Sequence, residues 1–596
     1  MKIVIVGGVA GGATAAARAR RLDETAEIIL IQSGPDVSYA SCGMPYFIGG
    51  EINDRSIMSV QTPKSLRERL NIDVHINTRV TQIDVKNQSV VTHSDKEEGT
   101  ENTQNTIFYD QLILALGAMP YQPNLPGIHR PGLFVLRDLN DMDQIHAWLK
   151  QQDVSNTYGN NHTHCVIAGA GFIGLEMVEQ LLRRKYKVTL VERSSQILAP
   201  LDPEMAAIVC MEMKKHGVEI ITGDAIAAIE ASSRESDPAL ESEGIDANAT
   251  SSVIVLQSGR RLPDCQMTLL SLGIKPDTSI AKEAGIATTT RGHIVVDDFL
   301  RTSAPNVWAI GDAIEVNNPI INNGIQESAL HEKWTIALAG PANRQGRMVA
   351  DNIYCFNRKY KGTYGAWVLR VFNLMVASVG MNEKMLIEKK LPYEVVHVHP
   401  NSHASYYPGA KAINFKLLFC PLDGKLYGAQ AIGEDGVEKR IDVISTAIQG
   451  GLTVHDLANL ELCYAPPVGS AKDPVNIAGM AAENIIDGLV KQVDWKEMQQ
   501  LIQEQVDGHS TNIFVLDVRN PSEITNTDKI FPTAINIPLN DLRSRIKELP
   551  VDKDTPLIVS CMSGQRAYYA CRILMQNGYT HVRNLGGAFK TYSMIK

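Results

Sequence analysis

The chain has 596 residues, enough for two to four domains that each bury a core, and its 44% hydrophobic and 21% charged content is that of a soluble globular protein. A formal net charge of −9 excludes a general nucleic-acid binder, and no apolar run is long enough to cross a bilayer. Nine cysteines, an odd number without metal-ligand or disulfide-framework spacing, predict no metal site and a reducing, cytoplasmic setting.

In chain order, the apolar run at 3–6 predicts a buried first strand rather than a signal segment. A glycine turn, Gly7-Gly8-Val9-Ala10-Gly11-Gly12, leads to a helix over 13–22 and a strand over 27–32, a βαβ opening. Cys42 then stands alone in Ser38-Tyr39-Ala40-Ser41-Cys42-Gly43-Met44-Pro45-Tyr46. A dithiol centre would place its second cysteine after four intervening residues, where Phe47 stands. Cys42 is therefore expected to exchange with an external small thiol, persulfide sulfur or oxygen species, with a nearby helix N-terminus favouring its thiolate. A polar stretch, 151–164, reads as a linker. The βαβ pattern restarts at Cys165-Val166-Ile167-Ala168, followed by Gly169-Ala170-Gly171-Phe172-Ile173-Gly174, a helix to 184 and a strand over 187–192. Residues 232–252, rich in Ser, Glu, Asp and Ala, read as an exposed insertion between strands. Past 343 the pattern changes to strands over 367–372 and 413–419 and a helix over 439–449, a separate α+β unit. From 495 a last unit carries strands over 513–516 and 557–559 and a helix over 566–577.

Gly169-x-Gly171-x-x-Gly174, followed 23 residues after Gly169 by Glu192, predicts a dinucleotide site: the glycines admit a pyrophosphate to the helix N-terminus and the carboxylate accepts from ribose hydroxyls. A carboxylate there repels a 2′-phosphate, which favours NADH, while the adjacent Arg193 admits NADPH. The N-terminal fingerprint keeps Gly7 and Gly12 but has Val9 at the second glycine position and Gln32 at the acidic one. Two further segments complete it in the order a flavoprotein uses. Tyr109-Asp110-Gln111-Leu112-Ile113-Leu114-Ala115-Leu116-Gly117 is one; Thr302-Ser303-Ala304-Pro305-Asn306-Val307-Trp308-Ala309-Ile310-Gly311-Asp312, whose carboxylate can hold a ribityl chain, is the other. Together they predict FAD. The expected cofactor-binding residues are Gly7, Gly8, Ala10, Gly12, Gln32, Ala115, Gly117, Arg137, Gly311, Asp312, Gly169, Gly171, Ile173, Gly174, Glu192 and Gly273.

With these motifs in place, roughly the first 490 residues resemble the single-cysteine branch of the pyridine nucleotide–disulfide oxidoreductases, which holds coenzyme A-disulfide reductases, NADH oxidases and NADH-dependent persulfide or polysulfide reductases. Ser38-x-x-x-Cys42, His403-Ala404-Ser405-Tyr406-Tyr407-Pro408-Gly409, Glu438-Lys439-Arg440-Ile441-Asp442 and Tyr464-Ala465-Pro466-Pro467 with Lys472-Asp473 carry the resemblance. It implies a homodimer in which the C-terminal unit completes the partner's active site. Tyr464 would approach the flavin and Cys42, and Tyr406 or Tyr407 would act at the thiol. It also implies bound coenzyme A at Thr14, Arg18, Arg21, Ser38, Ser41, Arg440 and Lys472, where cationic side chains suit a ligand with three phosphate groups.

Cys561-Met562-Ser563-Gly564-Gln565-Arg566 follows a strand and leads into a helix, a loop able to wrap N–H groups round a sulfur anion, with Arg566 placed to close it. With Leu516-Asp517-Val518-Arg519 and Asn584-Leu585-Gly586-Gly587, the segment resembles a single rhodanese domain with Cys561 as a sulfane-sulfur carrier. The expected fold class is α/β, with two Rossmann-like dinucleotide-binding domains, an α+β dimerisation domain and a C-terminal α/β rhodanese domain. Its parts are FAD-binding over 1–150 and 273–345, NADH-binding over 151–272, dimerisation over 346–490 and rhodanese over 495–596. The expected activity is NADH-dependent reduction of persulfides or polysulfides, coenzyme A persulfide included, through FAD, Cys42 and Cys561. Coenzyme A-disulfide reductase and NADH oxidase are the alternatives within the same class, and a sulfurtransferase on a redox-sensing flavoprotein scaffold is the alternative outside it.

Overall fold

The computed structural model describes residues 1–94, 103–157, 163–232, 251–322, 332–507, 513–524, 529–531 and 533–595. The chain divides into two compact units, Met1–Ser195 with Gly217–Thr363, and Gln196–His216 with Tyr364–Lys596.

In the first unit, the β-branched run Lys2–Val6 is buried from Ile3 onward and lies centrally in a five-stranded parallel sheet, between Gln111–Leu114 and Glu27–Ile31. Continuous Val/Ile/Leu strands suit parallel sheets, whose two faces are both covered. The helix that follows starts at Ala10, three residues earlier than the sequence pattern predicts, so Gly11 and Gly12 form its first turn. Glycine costs helix stability, but a Cβ at Gly12 would collide with Gly7 O, and one at Gly346 of the helix Ala339–Ile353 would collide with Gly11 O. Close backbone approach on both sides outweighs local propensity here.

A second sheet carries the other nucleotide pattern. His164–Ala168 lies between Lys187–Glu192 and Arg261–Leu270, all parallel, and Ile226–Ala231 and Ser252–Leu256 extend the sheet as an antiparallel pair. Those two strands flank the expected insertion: Ser232 and Ser251 are buried at its ends, and 233–250 lie outside the described residues. The expected linker at 151–164 is largely not one. The helix Leu139–Thr157 runs through its first half, and its far end is already the strand His164–Ala168. Leu139, Met142, Ile145 and Leu149 make an apolar stripe that is at most 1% exposed.

The second unit holds an antiparallel five-stranded sheet in the order Trp367–Val371, Leu374–Gly380, Leu426–Gly433, Asn414–Phe419, Glu394–Val398, with the helices Val437–Gly450 and Pro474–Ile486. It also holds a parallel sheet in the order Lys491–Val493, Val582–Leu585, Leu557–Ser560, Phe514–Asp517, Ile535–Asn536. The segment Gln196–His216 belongs to this unit because of buried charge. Lys416, fully buried, donates to Asp202 at 2.8 Å and to Glu204 and Glu383. Gln430 closes a reciprocal pair with Asp202, accepting its N–H at 2.9 Å and donating to its carboxylate at 2.8 Å.

Candidate active site

The first glycine loop ends in a helix start, and the side chain at the end of the second strand ties it down: Gly8 N donates to Gln32 Oε1 at 2.8 Å. Gly311 N donates to Gln345 Oε1 at 2.7 Å, and Gly117 takes a left-handed φ of +69° with open space where a Cβ would stand. Ala115 donates its N–H to Val6 O, and Arg137 lies 4.0 Å from Asp277. Asp312 is half-buried, its carboxyl pushed up by burial, and among the described residues no group donates to it. An acceptor left without a protein donor beside glycine-lined space fits the hydroxyls and pyrophosphate of FAD.

The second loop repeats the device with a carboxylate. Glu192 accepts from Ala170 N and Ser194 N, both at 2.8 Å. Gly169 has φ +101°, Gly171 is the N-cap of the helix Phe172–Arg183, and a Cβ at Gly171 or Gly273 would meet nothing within 4 Å. A Cβ at Gly174 would collide with Gly169 O, so that glycine holds helix to strand, and Ile173 is 37% exposed in the first turn. The open cradle fits a dinucleotide pyrophosphate.

Cys42 lies in a one-turn helix, Ser41–Gly43, that runs into the helix Met44–Ile48, and its thiol is exposed. Phe47 is buried, its ring 4.9 Å from His146, so the position of a second thiol is taken by packing. Ser38 is held at φ +46°, with its N–H on Gly8 O at 2.8 Å, which couples the cysteine loop to the first glycine loop. Of the expected coenzyme A contacts in this unit, Arg18 is paired with Asp351 at 2.6 Å, Thr14 donates to Asn343 at 3.0 Å, and Arg21 is exposed with no ion pair among the described residues.

Tyr406, Tyr407, Tyr464, Lys472 and Cys561 lie in the second unit. The Tyr406 and Tyr464 hydroxyls are 2.9 Å apart, and both side chains are exposed; the neighbouring Tyr407 packs edge-on against His403. Lys472 is exposed. Arg440, expected among the coenzyme A contacts, is instead 1% exposed: it pairs with Asp473 at 3.0 Å and donates to Ser402 O and Gly436 O. Sequence alone could not separate a phosphate-binding arginine from a buried pin, because Asp473 is 33 positions away.

Cys561 is fully buried between the strand Leu557–Ser560 and the helix Gln565–Gln576, and Gly564 donates its N–H to the sulfur at 3.1 Å. Phe589 N and Lys590 N bind Cys561 O and Met562 O, so the segment beginning at Gly587 buttresses the loop. His399, on the antiparallel-sheet side of the unit, meets Gly587 O at 3.2 Å and Thr591 Oγ1 at 3.0 Å; burial lowers it to about 3, which keeps the ring neutral. Arg566, expected to close the loop over the sulfur, makes a two-pronged ion pair with Glu523 at 2.7 Å for each contact. The sequence reading missed Glu523 and His399. A turn signal, Asn520-Pro521-Ser522-Glu523, marks the first, and no local signal marks the second.

Residues 1–346 match the model of the family described as pyridine nucleotide-disulphide oxidoreductase. The chain belongs to this family. Residues 368–474 match its dimerisation domain and 495–594 a rhodanese-like domain. A coenzyme A disulfide reductase of Staphylococcus aureus (strain bovine RF122 / ET3-1) is 32% identical over 483 residues, 81% of this chain and 100% of that protein. The solved structure of reduced Bacillus anthracis CoADR-RHD is 43% identical, with a TM-score of 0.88 over 100% of this chain and 98% of that one. An NAD-dependent persulfide reductase from A. fulgidus is 30% identical, with a TM-score of 0.83 over 99% of this chain and 100% of that one. The oxidoreductase is thus an NAD(P)H-dependent flavoprotein reductase carrying a rhodanese domain, with the α/β class expected from its sequence. Among the described residues no helix is long and apolar enough to cross a membrane.

Proposed function

We propose that this reductase, working as a homodimer, uses NADH to reduce sulfane sulfur carried on small thiols, coenzyme A persulfide in particular, to sulfide. The observation that carries the reading is the pair of cysteine settings in one chain: an exposed, solitary Cys42 and a cradled Cys561. The net reaction, R–S–SH + NADH + H⁺ → R–SH + H₂S + NAD⁺, balances without a further reactant. FAD, held at Gly7, Gly8, Gly12, Gln32 and Asp312, supplies two-electron transfer between nicotinamide and sulfur. Cys42 attacks the outer sulfur as thiolate, takes it as Cys42–S–SH and releases the carrier thiol. Tyr464 and Tyr406, whose hydroxyls share one hydrogen bond, hold a proton for the leaving thiolate. Cys561 takes sulfane sulfur in the rhodanese domain and passes it to a free thiol, which makes substrate for Cys42. Of the four cations expected at coenzyme A, Arg18 and Arg440 are paired with acids, and exposed Arg21 and Lys472, without an ion pair among the described residues, are the two suited to its phosphates. Similarity to the A. fulgidus persulfide reductase over both modules supports the reading.

Anaerobic NADH oxidation with sulfide quantified tests it, using coenzyme A persulfide and coenzyme A disulfide in parallel. One sulfide per NADH, with preference for the persulfide, is expected. Fast disulfide reduction with little sulfide would move the enzyme to thiol–disulfide homeostasis.

Glu192 also predicts nucleotide choice. Its carboxylate, held by two N–H donors, stands at the fingerprint position that takes a ribose, so kcat/KM is expected to favour NADH over NADPH by about tenfold or more. A steady-state comparison showing equal use would refute the assignment of Glu192 to the ribose.

A further inference from the structure

Among the described residues, three cations bear on the Cys561 loop, and each has a distinct setting. Arg519 is fully buried, bound to Asp517 at 2.7 Å, and its guanidinium lies 4.2 Å from the centre of the Phe589 ring. Lys590 is half-buried, its pKa is lowered by burial, and its charge acts on His399. Arg566 is the one cation within the loop Cys561–Arg566 itself, and both of its terminal nitrogens are taken by Glu523. The Arg566 hydrogen bonds hold the Glu523 carboxyl down at about 2, so the pair stays ionised at any working pH and Arg566 brings no net positive charge to the loop Cys561–Arg566.

We propose that the Glu523–Arg566 ion pair sets the sulfur donor of the Cys561 loop, admitting sulfane sulfur on an organic thiol and rejecting dianionic inorganic donors such as thiosulfate. This rests on Cys561 being a sulfur carrier. With an organic persulfide, the Cys561 thiolate attacks the outer sulfur. A Cys561–S bond forms, the S–S bond breaks with its electron pair leaving on the organic thiolate, and the sulfane sulfur keeps its proton. With thiosulfate the same attack expels sulfite, so two negative charges must enter beside the thiolate and remain on the leaving group. With Arg566 held by Glu523, the loop Cys561–Arg566 itself offers them no counter-charge. Glu523 is thus a positioning residue: it touches neither sulfur nor donor and acts by occupying Arg566.

The test uses the full-length Cys42→Ser protein, so that Cys561 is the carrier under study. Cysteine persulfide and thiosulfate are supplied separately, loading is read as a mass gain of one sulfur on the Cys561 peptide, and transfer is read as thiocyanate formed with cyanide. A preference for the persulfide of about a hundredfold in kcat/KM is expected, and Glu523→Gln should raise the thiosulfate value by about tenfold and shrink the preference, while Glu523→Asp keeps it. Equal use of both donors by the chain with Glu523 intact overturns the proposal, and so does an unchanged preference in a folded Glu523→Gln variant, foldedness being judged by circular-dichroism melting and by retained loading from cysteine persulfide. Should that variant not fold, the preference measured with Glu523 intact still decides. Loading by neither donor overturns the carrier reading itself, an outcome distinct from equal use.

Discussion

Cys42→Ser is expected to lower NADH-dependent sulfide release by about a thousandfold or more, because a serine hydroxyl is neither ionised at neutral pH nor able to hold sulfane sulfur. Phe47 is buried where a dithiol centre would carry its second cysteine, so no local thiol substitutes for Cys42. Yellow colour and bleaching by NADH should persist, since the FAD and nicotinamide residues are on other segments. Cyanide-dependent transfer from Cys561 should persist too. The converse variant, Cys561→Ser, should keep NADH-dependent reduction of small disulfides and lose carrier-dependent sulfide release. Sulfide release by Cys42→Ser at an unreduced rate would sink the mechanism, and equal loss of both activities in Cys561→Ser would sink the division of labour.

The second large effect is on stability. Lys416→Met is expected to cost about 3–5 kcal/mol, because it strands Asp202, Glu204 and Glu383 in a dry interior. Burial by itself would lower Lys416 and raise the carboxyls. The mutual attraction wins for Lys416, which is held firmly charged, and for Glu204 and Glu383, which are held below their ordinary 4.5; Asp202 stays raised, since for it burial outweighs the ammonium. His397 lies 3.0 Å from Glu204 and Lys496 3.2 Å from Glu383, so these further side-chain partners reach only two of the three acids. Carboxyls depressed in the folded state give stability that is complete above 4.5 and fades as pH falls through their folded values. The variant should therefore melt about 10 °C lower near neutrality by circular dichroism, with the gap narrowing progressively as pH falls below 4.5 toward the depressed folded values of Glu204 and Glu383. A melting temperature equal to that of the unaltered chain at pH 7 would mean the cluster is not the clamp described.

These two effects differ in how far the chain announces them. Cys42, the two glycine fingerprints and the Cys561 loop are legible because their requirements are local. A pyrophosphate needs bare backbone at fixed offsets before a helix, and a sulfur anion needs N–H groups from the next few residues. Local reading also gives the strands Lys2–Val6 and His164–Ala168, where the apolar run is itself the signal.

Only the tertiary structure decides the fate of the charges. In Asn414–Phe419 the lysine stands where alternation would turn it to water, yet Lys416 is sealed in by Glu204, 212 positions away. Arg440 and Arg566 sit in motifs that suggest free cations, and each is taken up by an acid, Asp473 or Glu523, that lies 33 or 43 positions off. A charged side chain has the same local sequence whether it meets a ligand, water or a distant carboxylate. Desolvation and long-range pairing choose between these, and both depend on which segments the fold brings together.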